Sequence, residues 1–160
     1  MQPLGAADVQ AALDRLNLGL TIRFFDQSTA TSQLAAENIG CALGQIVKSL
    51  AFLVDGQPIL VLASGDQRVD DRKIADLYGV SRKKVRIASP DECIAIYGYA
   101  PGGVPPLAHR TSNLPTYIDN SLLRYEQVYA AGGAHNAIFG LTVAQLQDMT
   151  GGTVAEVVRE

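Results

Sequence analysis

Apolar positions along the chain switch repeatedly between a helical period and a strand period, and the switches delimit the elements. From Asp8 to Leu18, Val9, Ala12, Leu13 and Leu16 recur at helical spacing before Gly19, which predicts a first helix. Leu20–Phe25 reads as a strand, and Thr31–Ile39 as a short helix stopped by Gly40. Ile46–Val54 is an apolar run broken by Lys48 and Ser49. Asp55-Gly56 then marks a hairpin turn, and residues 58–63 return as the partner strand. Asp70–Tyr78 predicts a third helix, with acids in its first turn and Gly79 after its last. Residues 85–88 form a short strand. Ser89-Pro90-Asp91-Glu92 then opens a helix with a capping box and ends it by Gly98. Strands follow at 116–118, 127–131 and 136–139, the last two joined around Gly132-Gly133. A second capping box, Thr142–Gln145, starts a helix to about Met149, and residues 153–158 supply an edge strand. Hairpins outnumber βαβ units, so the fold class is α+β.

Length and composition place this pattern in one domain. The chain has 160 residues, 48% of them hydrophobic and 18% charged, enough for a real core. Residues 1–160 read as a single domain without repeats or linkers. No apolar segment reaches 18 residues, so no membrane span is expected. The start, Met1-Gln2-Pro3-Leu4-Gly5, lacks the basic and apolar regions of a secretory signal, which predicts a cytoplasmic protein. Cys41 and Cys93 are too few for a disulfide scaffold and lack ligand partners at metal spacing, so both read as buried thiols. No metal or other cofactor is expected.

Charge sharpens the picture at one place. Residues 68–86 hold seven of the 13 basic residues against Asp70, Asp71 and Asp76, a local positive excess on a chain of net charge −3. A patch of this kind suits a partner that is anionic at one end; a solvated basic turn is the ordinary alternative. The acidic total and the missing helix-turn-helix pattern argue against direct DNA binding, and none is expected.

Two features carry chemistry. Lys48 shares a strand face with Ile46, Leu50, Phe52 and Val54. A lysine there either snorkels to water or, partly desolvated, holds a phosphate or polarises a carbonyl. In the second, Pro101-Gly102-Gly103-Val104-Pro105-Pro106, five of six residues are Pro or Gly. Gly102 and Gly103 permit positive φ and close backbone approach. Pro105 and Pro106 stiffen the loop, and upstream backbone groups are expected to stand free for a ligand. His109 and His135 are the two imidazoles, and His135, beside Gly132-Gly133, either lines a pocket or sits on a surface loop. The sequence has no nucleophile elbow, no zinc motif, no P-loop and no dinucleotide fingerprint. An enzyme with this inventory works by positioning and electrostatic stabilisation.

Several segments, in order and spacing, resemble the YbaK family, the stand-alone relatives of the editing domain inserted in bacterial prolyl-tRNA synthetases. They are Gln45-Ile46-Val47-Lys48-Ser49-Leu50, Gly98-Tyr99 leading to Gly102–Leu107, Leu114–Asp119, and Tyr129-Ala130-Ala131-Gly132-Gly133. The resemblance runs from about Leu13 to Thr150. It implies an α+β fold around a mixed, curved, barrel-like sheet with flanking helices. It also implies hydrolysis, in trans, of the ester of a mischarged aminoacyl-tRNA, with tRNA(Pro) carrying a small amino acid such as Ala or Cys the expected substrate. Lys48 matches the family's essential lysine and Gly102 heads its G-x-x-x-P loop, so these two are the expected catalytic residues. Ser49, Gly103, Val104, Pro105, Pro106, Ala131, Gly132, Gly133, His135 and Ile138 are the expected substrate contacts. No protein nucleophile is implied; a ribose hydroxyl of the substrate, or the thiol of a cysteinyl substrate, is expected to assist attack. Arg82, Lys83, Lys84 and Arg86 are expected on acceptor-stem phosphates, and a synthetase is a possible partner. Cysteinyl-tRNA-cleaving members carry a hydroxyl residue where Ala131 stands and an acid near Ile138, and Gly is frequent where Ala108 stands. The expectation of another class is a non-catalytic module that binds an aminoacylated or nucleotide ligand, or a synthetase.

Overall fold

The computed structural model describes residues 2–160; Met1 lies outside the described residues. In chain order the elements are α1 (Ala6–Arg15), β1 (Arg23–Phe24), α2 (Ser32–Ile39), β2 (Ile46–Val54), β3 (Gln57–Ser64), α3 (Asp71–Tyr78) and β4 (Val85–Ile87). There follow α4, which begins at Pro90–Glu92 and widens to a π-helix over Cys93–Tyr97, then β5 (Thr116–Asp119), β6 (Gln127–Ala131), β7 (Ala137–Thr142), α5 (Val143–Thr150) and β8 (Thr153–Ala155).

Local chemistry accounts for most boundaries. Thr31 caps α2 by accepting from the Leu34 amide at 3.1 Å, and Gly40 ends it at φ +81. Asp70 caps α3, and the Ser89–Glu92 and Thr142–Gln145 boxes close reciprocally. Asp55 and Gly56 both take positive φ, as a two-residue hairpin with the twist of its strands requires.

Three elements are shorter than the pattern predicts, one because the backbone turns left-handed and two because a distant side chain takes the backbone groups. α1 stops at Arg15, where Asn17 turns the chain at φ +54. β1 keeps two residues because the Gln10 side chain takes the Leu20 carbonyl at 3.0 Å and the Ile22 amide at 2.9 Å. β8 ends at Ala155 because the buried Asp119 carboxylate receives the Val157 amide at 2.8 Å.

The strands form one mixed sheet in the order β1-β7-β6-β2-β3-β5-β8, with β4 joined to β2 off this path. Both faces of the central β2–β3 hairpin are covered. Val47, Ala51, Leu53, Leu60 and Leu62 face a core closed by α1, α4 and α5, while Phe52, Val54, Ile59 and Val61 face α3. Each such leucine or phenylalanine stabilises the fold by about 1.5–3 kcal/mol. A third cluster joins Ile46 and Ile138 to Ala35 and Ala36 of α2.

The feature that makes a site is a fork in the sheet. β2 pairs in parallel with β6 only at Ile46 and Val47, and antiparallel with β4 only from Phe52 to Val54. The Ala51 carbonyl still receives the Ala88 amide at 2.9 Å. Between these ladders, one edge of β2 has no neighbour. Hydrogen-bonding pairs in the hairpin alternate from its closing pair, Val54–Gln57. Odd-numbered residues of β2 therefore turn their backbone groups outward, and Ser49 presents its N–H and C=O to the open fork.

Candidate active site

A cavity of about 320 Å³ occupies the fork. Its floor is β2 from Lys48 to Ala51, whose outer edge has no strand partner from Lys48 to Leu50. Its walls come from residues 29–32 and Ala35, from Ile87 and Ala88, from Cys93, from Gly102 and Val104, and from Ala131 and Ile138. None of these wall residues is charged.

Lys48 lies between the α2 cluster and the α3 cluster on one face of β2. Its ammonium donates to the carbonyl of Gln67, on the turn after β3. Desolvation lowers its pKa from the usual lysine value; the Asp66 carboxylate opposes that shift and Arg68 reinforces it. Among the described residues no carboxylate lies within 4.0 Å of it. Ser49 points to the opposite face, and its hydroxyl oxygen is buried without a hydrogen-bond partner. A buried hydroxyl left unpaired costs about 1–3 kcal/mol, so it is a group that a ligand can satisfy.

The loop is more ordered than its composition predicts. Ala100–Gly103 is a turn closed by the Gly103 amide on the Ala100 carbonyl at 3.1 Å, with Pro101 and Gly102 in the middle. Gly102 has φ +90, the position where this turn demands glycine. A Cβ there would also lie 2.9 Å from the Ala30 Cβ, so Gly102 lets the loop close against the 29–32 wall. Gly103 does not take positive φ; it is small because Ala134 backbone would stand 3.2 Å from a Cβ.

Part of the loop backbone is engaged within the protein: besides the Gly103 amide, two carbonyls at and after the prolines have partners. The His109 Nε2 bonds the Pro105 carbonyl at 2.7 Å, and the Tyr99 hydroxyl donates to the Ala108 carbonyl at 2.7 Å. Burial lowers the His109 pKa, and the Pro105 bond partly restores it. Ala108 itself has φ +66, a conformation that favours glycine.

Of the residues expected to bind substrate, Ser49, Val104, Ala131 and Ile138 meet Lys48 and Gly102 at the cavity. Gly103, Pro105 and Pro106 are buried behind it, and Pro106 borders a second hollow with His109 and Met149. Gly132 and Gly133 pack against Ile22 and Val9. The His135 side chain is exposed, but its carbonyl receives the Thr29 amide at 2.6 Å and so anchors the cavity wall. That wall, residues 29–32, was invisible to sequence reasoning beyond a run of hydroxyl residues ahead of α2.

The basic cluster lies at the far end of β2. Arg82 bonds Asp71 at 3.1 Å, Lys84 stands 3.8 Å from Asp55, and Arg86 makes a bidentate pair with Glu92 at 2.7 and 2.8 Å. Lys83 is exposed and makes no ion pair among the described residues. No three His, Cys, Asp or Glu side chains among the described residues converge as metal ligands. No helix of the described residues is long and apolar enough to cross a membrane.

A forked mixed sheet with a lysine on its open edge and a glycine-headed loop across it defines a class, and comparison with known proteins names it. Residues 26–149 match the model of the aminoacyl-tRNA editing domain, and the chain belongs to that family. Protein YwhH of Bacillus subtilis (strain 168) is 39% identical over 129 residues, 79% of this chain and 78% of that one. Proline–tRNA ligase of Staphylococcus aureus (strain Newman) is 31% identical over 90 residues, 56% of this chain but 15% of the ligase. A crystal structure provisionally named as a trans-editing enzyme for prolyl tRNA synthetase superposes with TM-score 0.89 at 40% identity, covering 97% of both chains. The structure of protein APE2540 superposes with TM-score 0.85 at 31% identity, covering 95% of this chain and 99% of that one.

Proposed function

We propose that this protein deacylates mischarged aminoacyl-tRNA in trans, removing a small uncharged amino acid such as Ala or Cys from tRNA(Pro). One observation carries the reading: a single half-buried cation, Lys48, borders a neutral cavity built on unpaired strand backbone. The volume sits at the low end of the range of about 300–1,000 Å³ typical of ligand sites, which favours a short side chain. Ala131 and Ile138 make that end of the cavity apolar.

In this reading Lys48 holds the 3′-terminal phosphate or the ester oxygen. Its charge acts more strongly than in bulk water because burial strips part of its hydration. The Ser49 carbonyl accepts from the substrate's α-ammonium, and the Ser49 N–H and hydroxyl meet the ester. Gly102 and Val104 cover the aminoacyl group. The remaining loop residues, Gly103, Pro105 and Pro106, with Gly132, Gly133 and His135, shape the cavity from behind. No imidazole or carboxylate lines the cavity to activate Ser49, Ser32 or Cys93, and burial raises the Cys93 thiol pKa. Attack by water assisted by the substrate's ribose hydroxyl agrees with that inventory. The acceptor end is thus the proposed partner, with Lys83 and its paired neighbours near the stem; a synthetase is a further partner to test.

Incubation with tRNA(Pro) charged with Ala, Cys, Ser or Pro tests the reading. Release of one small amino acid, and not of Pro, is expected. Lys48-dependent binding of every charged tRNA without release would instead make the protein a non-catalytic binding module.

A further inference from the structure

Asp66 lies on the turn after β3, next to the Gln67 carbonyl that receives the Lys48 ammonium. Its carboxylate is gripped by both terminal nitrogens of Arg124, Nη2 to Oδ1 at 2.7 Å and Nη1 to Oδ2 at 3.1 Å. Arg124 is itself braced. Its Nε donates to the Ser121 carbonyl at 2.7 Å, and its guanidinium lies 5.1 Å from the centroid of the Tyr125 ring. Gly44 backs onto the pair: a Cβ there would stand 2.9 Å from Asp66 Oδ2 and 3.0 Å from Arg124 Nη2.

As a stabilising contact the pair is worth little, since both side chains are partly exposed, at 43% and 31%. Its electrostatic consequence is larger. Asp66 is the acid whose charge reaches Lys48, and Arg68 is the neighbouring cation. The cavity walls from α2, β4, α4, β7 and the 101–104 loop contribute no charge. Whether Lys48 offers its charge to a ligand therefore depends on where the Asp66 carboxylate is held.

We infer that Arg124 is a positioning residue for this site: by occupying Asp66 it keeps that carboxylate off Lys48, leaving the ammonium for an anionic group of the substrate. The functional part of this inference rests on the deacylase reading; the electrostatic part does not. Freed from Arg124, Asp66 swings toward Lys48, pairs with it and competes with the substrate.

The test uses R124Q, D66N, R124Q/D66N and R124K, with two readouts. The first is kcat/KM on the aminoacyl-tRNA that the wild type hydrolyses. The second is the titration of Lys48, followed by NMR of protein labelled with 13C-lysine. R124Q is expected to raise the Lys48 midpoint and to cut kcat/KM about tenfold, the equivalent of one pKa unit. R124Q/D66N returns both to the D66N values, and R124K retains most of the activity. A pair that merely ties down the turn would leave the double variant as impaired as R124Q and the Lys48 titration unmoved, which overturns the inference. Should the wild type release no amino acid, the deacylase reading fails, while the titration still decides whether Arg124 holds Asp66 off Lys48.

Discussion

The two ends of β2 carry the two positive features of this chain, and folding treats them in opposite ways. At one end Lys48 is half-buried, desolvated and free of any ion pair among the described residues. At the other, Arg82, Lys84 and Arg86 are exposed, and each faces an acid: Asp71, Asp55 and Glu92. In the sequence the second group is the more conspicuous, yet in the fold its net field is largely cancelled. A partly desolvated charge without an ion pair interacts more strongly with a ligand than a paired charge in water. The lesson is that a run of basic residues measures charge density, while chemistry depends on which charges remain unpaired and where water is excluded.

The sharpest way to break the comparison is at Lys48. K48A is expected to slow ester hydrolysis by about 100-fold or more, the scale of a lost electrostatic stabiliser. Its melting temperature falls only slightly, since relief of the lysine's desolvation offsets the lost bond to the Gln67 carbonyl. A tRNA ending in 2′-deoxyadenosine should slow the reaction comparably if the ribose hydroxyl assists attack; unchanged hydrolysis would mean that a protein group activates the water.

G102A comes next. The left-handed backbone and the 2.9 Å approach to Ala30 both oppose a methyl group. The cost to stability is about 1–3 kcal/mol, visible as a lower denaturation midpoint, with a further loss of kcat as the loop lifts from the cavity. G103A meets ordinary φ and a 3.2 Å contact, so its effect is smaller.

Neutralising the far cluster has the smallest effect. The triple variant R82Q/K84Q/R86Q should raise KM by less than about fivefold, in line with surface pairs worth up to about 1 kcal/mol. K83A alone should flatten the salt dependence of tRNA binding more than any of the three. Acid probes the same end. Arg86 and the Ser89 amide hold the Glu92 carboxyl pKa down at about 2. Its folded pKa is depressed, so its stabilising contribution is present above the ordinary carboxylate range and is lost as pH falls toward that value. Melting temperatures of wild type and E92Q should therefore differ at neutral pH and converge near pH 2.

Much of the fold is legible in the sequence because its boundaries are local. Thr31, Asp70, Ser89 and Thr142 cap the helices that the apolar periods predict, and Asp55-Gly56 turns the hairpin. The strands that fall short do so through distant side chains, Gln10 on β1 and Asp119 at β8, which no local window contains. The site divides the same way. Lys48 and Gly102 stand out as a cation in an apolar run and a glycine before a stiff loop. The 29–32 wall comes to the cavity through the His135 carbonyl, more than a hundred residues away. The pairings that silence Arg82 and Arg86 and fix Asp66 are equally invisible before the chain folds, since nothing in the sequence says which acid each cation meets.

The most direct measurement is single-turnover hydrolysis of one small-amino-acid ester of tRNA(Pro), with wild type, K48A and R82Q/K84Q/R86Q compared at saturating protein. Release by the wild type and the triple variant at rates within about fivefold, with loss in K48A by about 100-fold, is the predicted result. Full activity of K48A, or loss of activity in the triple variant with Lys48 intact, would contradict the placement of the chemistry at the fork.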